Sequence, residues 1–460
     1  MENTIDRKNN LLEGSVLKRL LIFFLPIAAG TLFQQFYNAV DAFVVSKYIG
    51  TDALAAVGGT PANVSNLIIG FFVALTSGCA VVISHLYGSK QYDKIKDAVK
   101  TSYIICIVIG IIIGSVVIVF TKEILTLLKT TKEAFDGSVL YQRIYFLGTI
   151  FLLIMNMASG ILRSVGNSRF PFICLFIGCA VNIVLDLLFV AAFKLGIAGV
   201  AIATVISEGV SATILTIKLF KANDVYQLDF VHAKFNIPIL KQMLGIGIPS
   251  GIQSSMYGIS NIILQIGVNE LGTITVASWA MSGKVDGIFW AITSAWGTAL
   301  TAFVGQNFGA KKYDRIKESS KKSIFFLGGI TVIICSVLLF VGRFILSILT
   351  KDVDVINTTM DILHYFVPFY VLWVIIEIFS GILRGVGDTI IPSTIQLVCI
   401  CIFRIIWVYT IFKTYHTLFA LSMSYSTSWI LTDIAIIIYY VYKSKRLFNQ
   451  KEKQIDESLL

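Results

Sequence analysis

The chain has 460 residues, 56 % of them apolar and only 14 % charged, with 37 Lys and Arg against 27 Asp and Glu. Soluble domains carry roughly 45–50 % apolar and about 25 % charged residues, so this composition excludes a soluble enzyme, a secreted scaffold and a nucleic-acid factor. At roughly 20 residues per span, the apolar content supplies about a dozen transmembrane helices and little else.

Apolar runs broken by Gly, Pro or charge clusters predict twelve spans, near residues 16–46, 54–86, 99–120, 138–162, 170–192, 196–219, 239–268, 276–307, 322–346, 361–384, 392–412 and 416–442. The second and eighth are the longest and least uniform. The first holds Gln34, Gln35, Asn38 and Asp41 and is too long for a cleavable leader, so it reads as a retained helix. Pro26 lies in the same span and removes one helical hydrogen bond, which predicts a bend point there. The seven cysteines all fall in apolar runs without metal-ligand spacing and read as small buried hydrophobes. Residues 1–15 and 443–460 are expected to be tails and 220–238 a polar linker, leaving two lobes over 16–219 and 239–442.

Of the 37 Lys and Arg, 26 fall on the side of the N-terminus, in the loops and tails beside Lys18, Lys90, Arg163, Lys234, Arg315, Arg384 and Lys443. The positive-inside rule then places both termini in the cytoplasm of a multi-pass cell-membrane protein, as an even number of spans requires. The basic excess is thus topological and needs no nucleic-acid partner; the lipid bilayer is the partner it implies.

Two segments recur at one offset. Gly88-Ser-Lys-Gln-Tyr-Asp-Lys-Ile-Lys96 returns as Gly309-Ala-Lys-Lys-Tyr-Asp-Arg-Ile-Lys317, and Ser159-Gly-Ile-Leu-Arg-Ser-Val-Gly166 as Ser380-Gly-Ile-Leu-Arg-Gly-Val-Gly387, each 221 residues on. Pro171 and Pro392 share that spacing. The chain is a duplicated six-helix unit. Because six is even, the repeat is parallel, with a pseudo-two-fold along the membrane normal. The fold class is therefore all-α integral membrane, in two six-helix lobes, an architecture suited to a transporter.

An ionisable group at mid-bilayer costs about 2.5–3.5 kcal/mol on insertion scales, so each one needs a reason. Gln34, Asn38 and Asp41 share one face of the first span; Asn182 and Asp186, four residues apart, share one face of the fifth. Two carboxylates in one lobe can share a proton, and deprotonated they suit a hard cation. Glu377 and Arg404 are charges inside the second lobe, where Glu377 either pairs with Arg404 or takes part in ion coupling. Gln253, Tyr257, Asn261 and Gln265 form a polar ladder at i+4 spacing. Tyr37, Met256 and Tyr257 are candidate substrate contacts, together with Gln34, Asn38 and Glu377 on the path. No convergent catalytic set occurs in the spans, so an enzyme is not expected.

The Gly-Ile-Leu-Arg-x-Val-Gly segments that run on to Pro171 and Pro392, the Gly-x-Lys-x-Tyr-Asp loops and Asp41 resemble the multidrug and toxic compound extrusion (MATE) family over essentially the whole chain. The resemblance implies a twelve-helix antiporter exporting organic cations, drugs and toxic compounds by alternating access. It needs no cofactor beyond its coupling ion, proton or sodium, and a monomer is the expected working unit. It also implies an ion site in the first lobe at Asp41, Asn182, Asp186 and Thr204, with sodium possible at the same four residues. Glu208, one turn beyond Thr204, faces either that cavity or solvent. Where some members carry an acid in the seventh span this chain has Tyr257, a departure from the family's second-lobe site. The competing reading is a flippase for a lipid-linked precursor.

Overall fold

A computed structural model describes residues 11–58, 60–128 and 130–459. Among these residues the regular structure is all helical. Twelve long elements run in chain order. The first six are α1 (Val16–Tyr48), α2 (Thr60–Gly88), α3 (Tyr92–Leu127), α4 (Lys132–Leu147 and Thr149–Ser164), α5 (Arg169–Asp186) and α6 (Gly196–Phe220). The second six are α7 (Ile237–Glu270), α8 (Gly287–Gly309), α9 (Tyr313–Phe340), α10 (Val353–Phe366 and Tyr370–Gly385), α11 (Ile390–Gln396, continuing to Tyr415) and α12 (Leu418–Leu459). Ten are long and apolar enough to cross a membrane singly, and α4 crosses as a pair bent by 47°. The remaining element, α7, is 34 residues long, about 51 Å at the helical rise, and is less apolar because Gln253, Asn261 and Gln265 lie along it.

The second and eighth spans are each a short helix followed by a long one, Thr51–Gly58 before α2 and Thr273–Val285 before α8. The irregular composition of those runs reflects that break. Pro26 and Pro249 both lie inside continuous helices, α1 and α7.

The duplication extends to backbone conformation. The α2 end closes with Lys90 N–H on Tyr87 O (3.1 Å) and Gln91 N–H on Leu86 O (2.9 Å); the α8 end closes with Lys311 N–H on Phe308 O (3.0 Å) and Lys312 N–H on Asn307 O (2.8 Å). Both are Schellman caps, in which one left-handed residue turns the chain and satisfies the last carbonyls. That residue is Lys90 (φ 56°) in one copy and Lys311 (φ 57°) in the other. The α4 and α10 ends repeat the motif with Gly166 (φ 96°) and Gly387 (φ 83°), where absence of a Cβ removes the cost of the left-handed turn. The conserved-looking spacing of 221 is thus a spacing of helix ends. π-helical turns also recur, at Leu187–Ala192 and Val408–Phe412.

The chain divides into two compact units, Leu21–Gly251 and the segment Leu11–Leu20 together with the chain from Ile252 onward. Of the expected N-terminal tail, residues 1–10 lie outside the described residues. In the first unit the linker ahead of α7 is strapped to α3: Lys100 Nζ donates to Phe230 O (2.8 Å) and Ala233 O (2.7 Å), and Lys234 N–H donates to Asp97 Oδ1 (2.7 Å). Within that strap Asp229 accepts the His232 and Val231 backbone N–H groups, which hold its carboxyl below the usual range. In the second unit the segment ahead of α1 is held comparably, with Arg315 donating to Gly14 O (2.7 Å) and Leu11 O (3.0 Å) and Lys312 to Leu12 O (2.9 Å).

Close helix contact in the first unit depends on small residues, as expected where lipid removes the hydrophobic drive for helices to associate. A Cβ on Gly78 of α2 would strike Met243 O and fall 2.7 Å from Gly247 N on α7. Gly78→Val should cost at least about 1–3 kcal/mol by overpacking and lower the thermal midpoint of the purified protein in detergent. Gly328 of α9 has nothing within 4 Å of its would-be Cβ, so Gly328→Ala should leave the midpoint unchanged or slightly raised. Equal midpoints for the two variants would remove the α2–α7 contact as a source of stability.

Candidate functional site: a carboxyl pair in the first unit and an aromatic–arginine surface in the second

In the first unit α5 lies close against α6 at Gly178, where an added Cβ would collide with Ser211 Oγ. Ser211 Oγ in turn donates to Cys174 O (3.1 Å), joining the two helices in their buried faces. One turn further along α5, that approach brings Asn182 to Thr204 of α6. In the amide orientation that satisfies both neighbours, Asn182 Nδ2 donates to Asp186 Oδ2 (2.9 Å) and its Oδ1 accepts from Thr204 N–H (3.3 Å). Asn182 and Asp186 are each 1 % exposed. The Thr204 hydroxyl gives its proton to Val200 O (3.0 Å).

Asp41 of α1 completes the group. Its carboxyl and that of Asp186 lie within hydrogen-bond range of one another. Asp41 Oδ1 and Asp186 Oδ1 are both buried with no N–H or hydroxyl donor. Two carboxyl groups in contact can hydrogen-bond only if one carries a proton, because a carboxylate is acceptor-only. Tyr37 and Tyr141 are within electrostatic reach of Asp41, Asp186 and Glu208, and Tyr141 stacks on Tyr145 with centroids 5.7 Å apart. Gln34 and Asn38 share the Asp41 stripe of α1 but are exposed, whereas Asp186 is buried. Immediately after Asp186 the helix widens into the π-helical turn Leu187–Ala192, a distortion frequent at functional sites.

In the second unit the polar ladder of α7 is partly tied into a ring of amides and hydroxyls. Gln396 Oε1 accepts from Gln253 Nε2 (2.7 Å) and Tyr257 Oη (3.1 Å), Gln396 Nε2 donates to Ser380 Oγ (2.7 Å), and Ser393 Oγ donates to Gln253 Oε1 (2.8 Å). Met256, one residue before Tyr257 on α7, is half-buried. The expected Glu377–Arg404 ion pair does not form. Glu377 lies against Gly297 of α8, filling the space a Cβ would take, while Arg404 donates from Nε to Ser428 Oγ (3.0 Å) and lies over the Tyr425 ring at 3.9 Å. Both are charges in neighbouring spans, but packing directs them to different helices.

Asp286, which the sequence marks as a charge in the eighth span, is buried, and two further buried groups, Gln396 and Asp433, escape the sequence reading. Gln396 is one amide in an apolar run. Asp286 accepts from Tyr370 Oη (2.6 Å) at the break between Thr273–Val285 and α8. Asp433 of α12 is 5 % exposed, with neither carboxyl oxygen hydrogen-bonded. Asp433 could have been found by scanning the last span for ionisable residues; Gln396 carries no such signal.

Because Glu377 and Arg404 have separate surroundings, Glu377→Gln and Arg404→Gln should change thermal stability additively, within about 0.5 kcal/mol. A double variant rescued by several kcal/mol relative to Arg404→Gln alone, as for a broken buried pair, would restore the ion pair.

The family model MatE matches residues 26–188 and again 249–410, one copy for each half of the duplication. The chain is 27 % identical over 396 residues to the probable multidrug resistance protein YoeA of Bacillus subtilis, covering 84 % of this chain and 85 % of that one. It is 25 % identical over 376 residues to the multidrug export protein MepA of Staphylococcus aureus, covering 82 % and 83 %. Among solved structures, an outward-facing multidrug resistance MATE family transporter of the MOP superfamily matches with a TM-score of 0.89 at 21 % identity, over 97 % of this chain and 100 % of that one. A variant of the Vibrio cholerae MATE transporter VcmN matches with a TM-score of 0.86 at 20 % identity, over 94 % and 97 %. With both halves of the duplication matched to the model, the chain belongs to the MatE family of multi-pass membrane transporters.

Proposed function

We propose that this protein is a secondary active antiporter that exports lipophilic or cationic drugs and toxic organic compounds in exchange for protons, by alternating access. The observation that carries this reading is the Asp41–Asp186 carboxyl contact in an apolar helical unit. One proton between two carboxyl groups removes the repulsion and part of the cost of charge in lipid. Losing that proton leaves a doubly negative site that must rearrange or gain a cation. A ligand shifts a conformational equilibrium only by binding one state better than another, and this pair gives the proton such a preference.

The Asn182 amide lies beside the pair and serves either ion: with its nitrogen on Asp186 and its oxygen on Thr204 N–H it completes a proton site, and turned over its oxygen would face Asp186 as a ligand for sodium. The names of the relatives as multidrug resistance and export proteins support drugs as the substrate class. The excess of Lys and Arg on the N-terminal side supports a cell-membrane protein with both termini cytoplasmic.

The test is ethidium efflux from membrane vesicles with proton and sodium gradients imposed separately. Wild type should respond to the proton gradient, and Asp41→Asn should abolish efflux while leaving expression and insertion intact. Asp186→Asn should be impaired alike, and the double variant should be little worse than either, since groups acting as one site are non-additive. Wild-type efflux by Asp41→Asn, or losses that multiply cleanly in the double variant, would overturn the shared site. A response to sodium alone would replace the proton as the coupling ion.

A further inference from the structure

Arg404 is the group in the second unit that the antiport reading leaves unused. It is 3 % exposed and sits in the short α-helical segment Phe403–Trp407 of α11, between π-helical turns at Leu397–Ile402 and Val408–Phe412. Of its five N–H donors, only Nε has a hydrogen bond among the described residues, to Ser428 Oγ, whose own proton goes to Tyr425 O (2.8 Å). Nη1 and Nη2 have none. No carboxylate forms an ion pair with Arg404 among the described residues: Glu377 is packed on Gly297, and Asp433, on the same helix as Ser428, makes no contact with the guanidinium. A cation in lipid with neither counter-ion nor full hydrogen bonding is expensive to keep, and purely structural arginines are ordinarily paired.

The surroundings specify what would complete it. The guanidinium carbon stands 3.9 Å from the Tyr425 centroid and 5.9 Å from that of Trp429, so cation–π attraction fixes its plane and leaves the Nη edge as the free fork. From Tyr425 an aromatic path continues through Trp429 (5.7 Å) and Trp373 (6.1 Å) to Tyr257 (6.2 Å). Tyr257, Trp373 and Tyr425 are half-buried and therefore offer ring surface as well as packing. A fork of N–H donors matches a carboxylate bidentately, and the adjoining rings match a flat apolar body.

We propose that Arg404 is the anion-binding group of a substrate subsite in the second unit, taking the carboxylate of a flat aromatic molecule whose rings lie on the half-buried Tyr425, Trp373 and Tyr257, with the buried Trp429 packed behind them. This inference rests on the export reading and adds a specificity-determining residue to it, but it is tested by equilibrium binding, so failure of proton-coupled efflux and failure of this site are separate results.

The probes are rhodamine 19, a zwitterion with a free carboxylate, and rhodamine 6G, its ethyl ester, titrated by fluorescence anisotropy against the purified full chain in detergent near neutral pH. Wild type should bind the acid about tenfold tighter than the ester, the size of a charge-assisted hydrogen-bond pair. Arg404→Gln should lose that preference while changing ester affinity less than about twofold, and Arg404→Lys should keep part of it because the charge remains. Equal affinities of wild type for the two dyes would overturn the proposal, whether or not the variants fold. So would equal weakening of both dyes by Arg404→Gln, which marks Arg404 as structural only.

Discussion

Two carboxyl groups cannot both be charged and in contact inside an apolar helical unit without a compensating proton or cation, and the first unit is arranged around that constraint. Gly178 lets α5 approach α6, which places the Asn182 amide between Asp186 and the Thr204 backbone. With that amide committed, Asp186 has one oxygen satisfied, and the other has no donor besides the Asp41 carboxyl. Tyr37 and Tyr141 lie within electrostatic reach of the pair. Insertion costs of about 2.5–3.5 kcal/mol per charge are small enough to be met and large enough to bias a conformational equilibrium. That magnitude is what an ion-driven transporter requires.

The second unit uses the same frame for different chemistry. Its helix ends close with the same Schellman caps, at Lys311 and Gly387 as at Lys90 and Gly166, and its eleventh span carries π-helical turns as the fifth does. In place of an Asn–Asp pair, however, α11 presents Gln396 to an amide ring and Arg404 to tyrosine and tryptophan. Duplication preserved what turns the chain at helix ends, where the backbone must satisfy its own hydrogen bonds. It left the interior side chains free to diverge. The first unit thus holds a carboxyl pair, and the second holds an arginine beside aromatic rings, with its own acids placed apart from that arginine.

The spans were legible because lipid demands long apolar runs, and the duplication because Gly-Ile-Leu-Arg and Lys-x-Tyr-Asp mark helix ends that tolerate little change. Asp41 and Asp186 stood out as charges where charge is costly, and Asn182 as the residue one turn before Asp186. That α1 and α5 bring the two acids together was carried by family resemblance, since spacing within each helix says nothing about which helices meet. The supposed Glu377–Arg404 pair shows the same limit. Two opposite charges in neighbouring spans invite pairing, but Gly297 gives Glu377 room on α8 and Ser428 takes Arg404 toward α12. Asp433 and Gln396 were passed over because each is a single polar residue without a partner at helical spacing.

The account stands on ion exchange at Asp41 and Asp186 being linked to drug binding. The direct measurement is calorimetric titration of a cationic dye into the purified protein, in buffers of different ionisation enthalpy and with or without sodium. Binding to wild type should release protons, and this release should disappear in the Asp41→Asn, Asp186→Asn double variant. Dye binding without proton release in wild type, or release that persists unchanged in the double variant, would contradict the account.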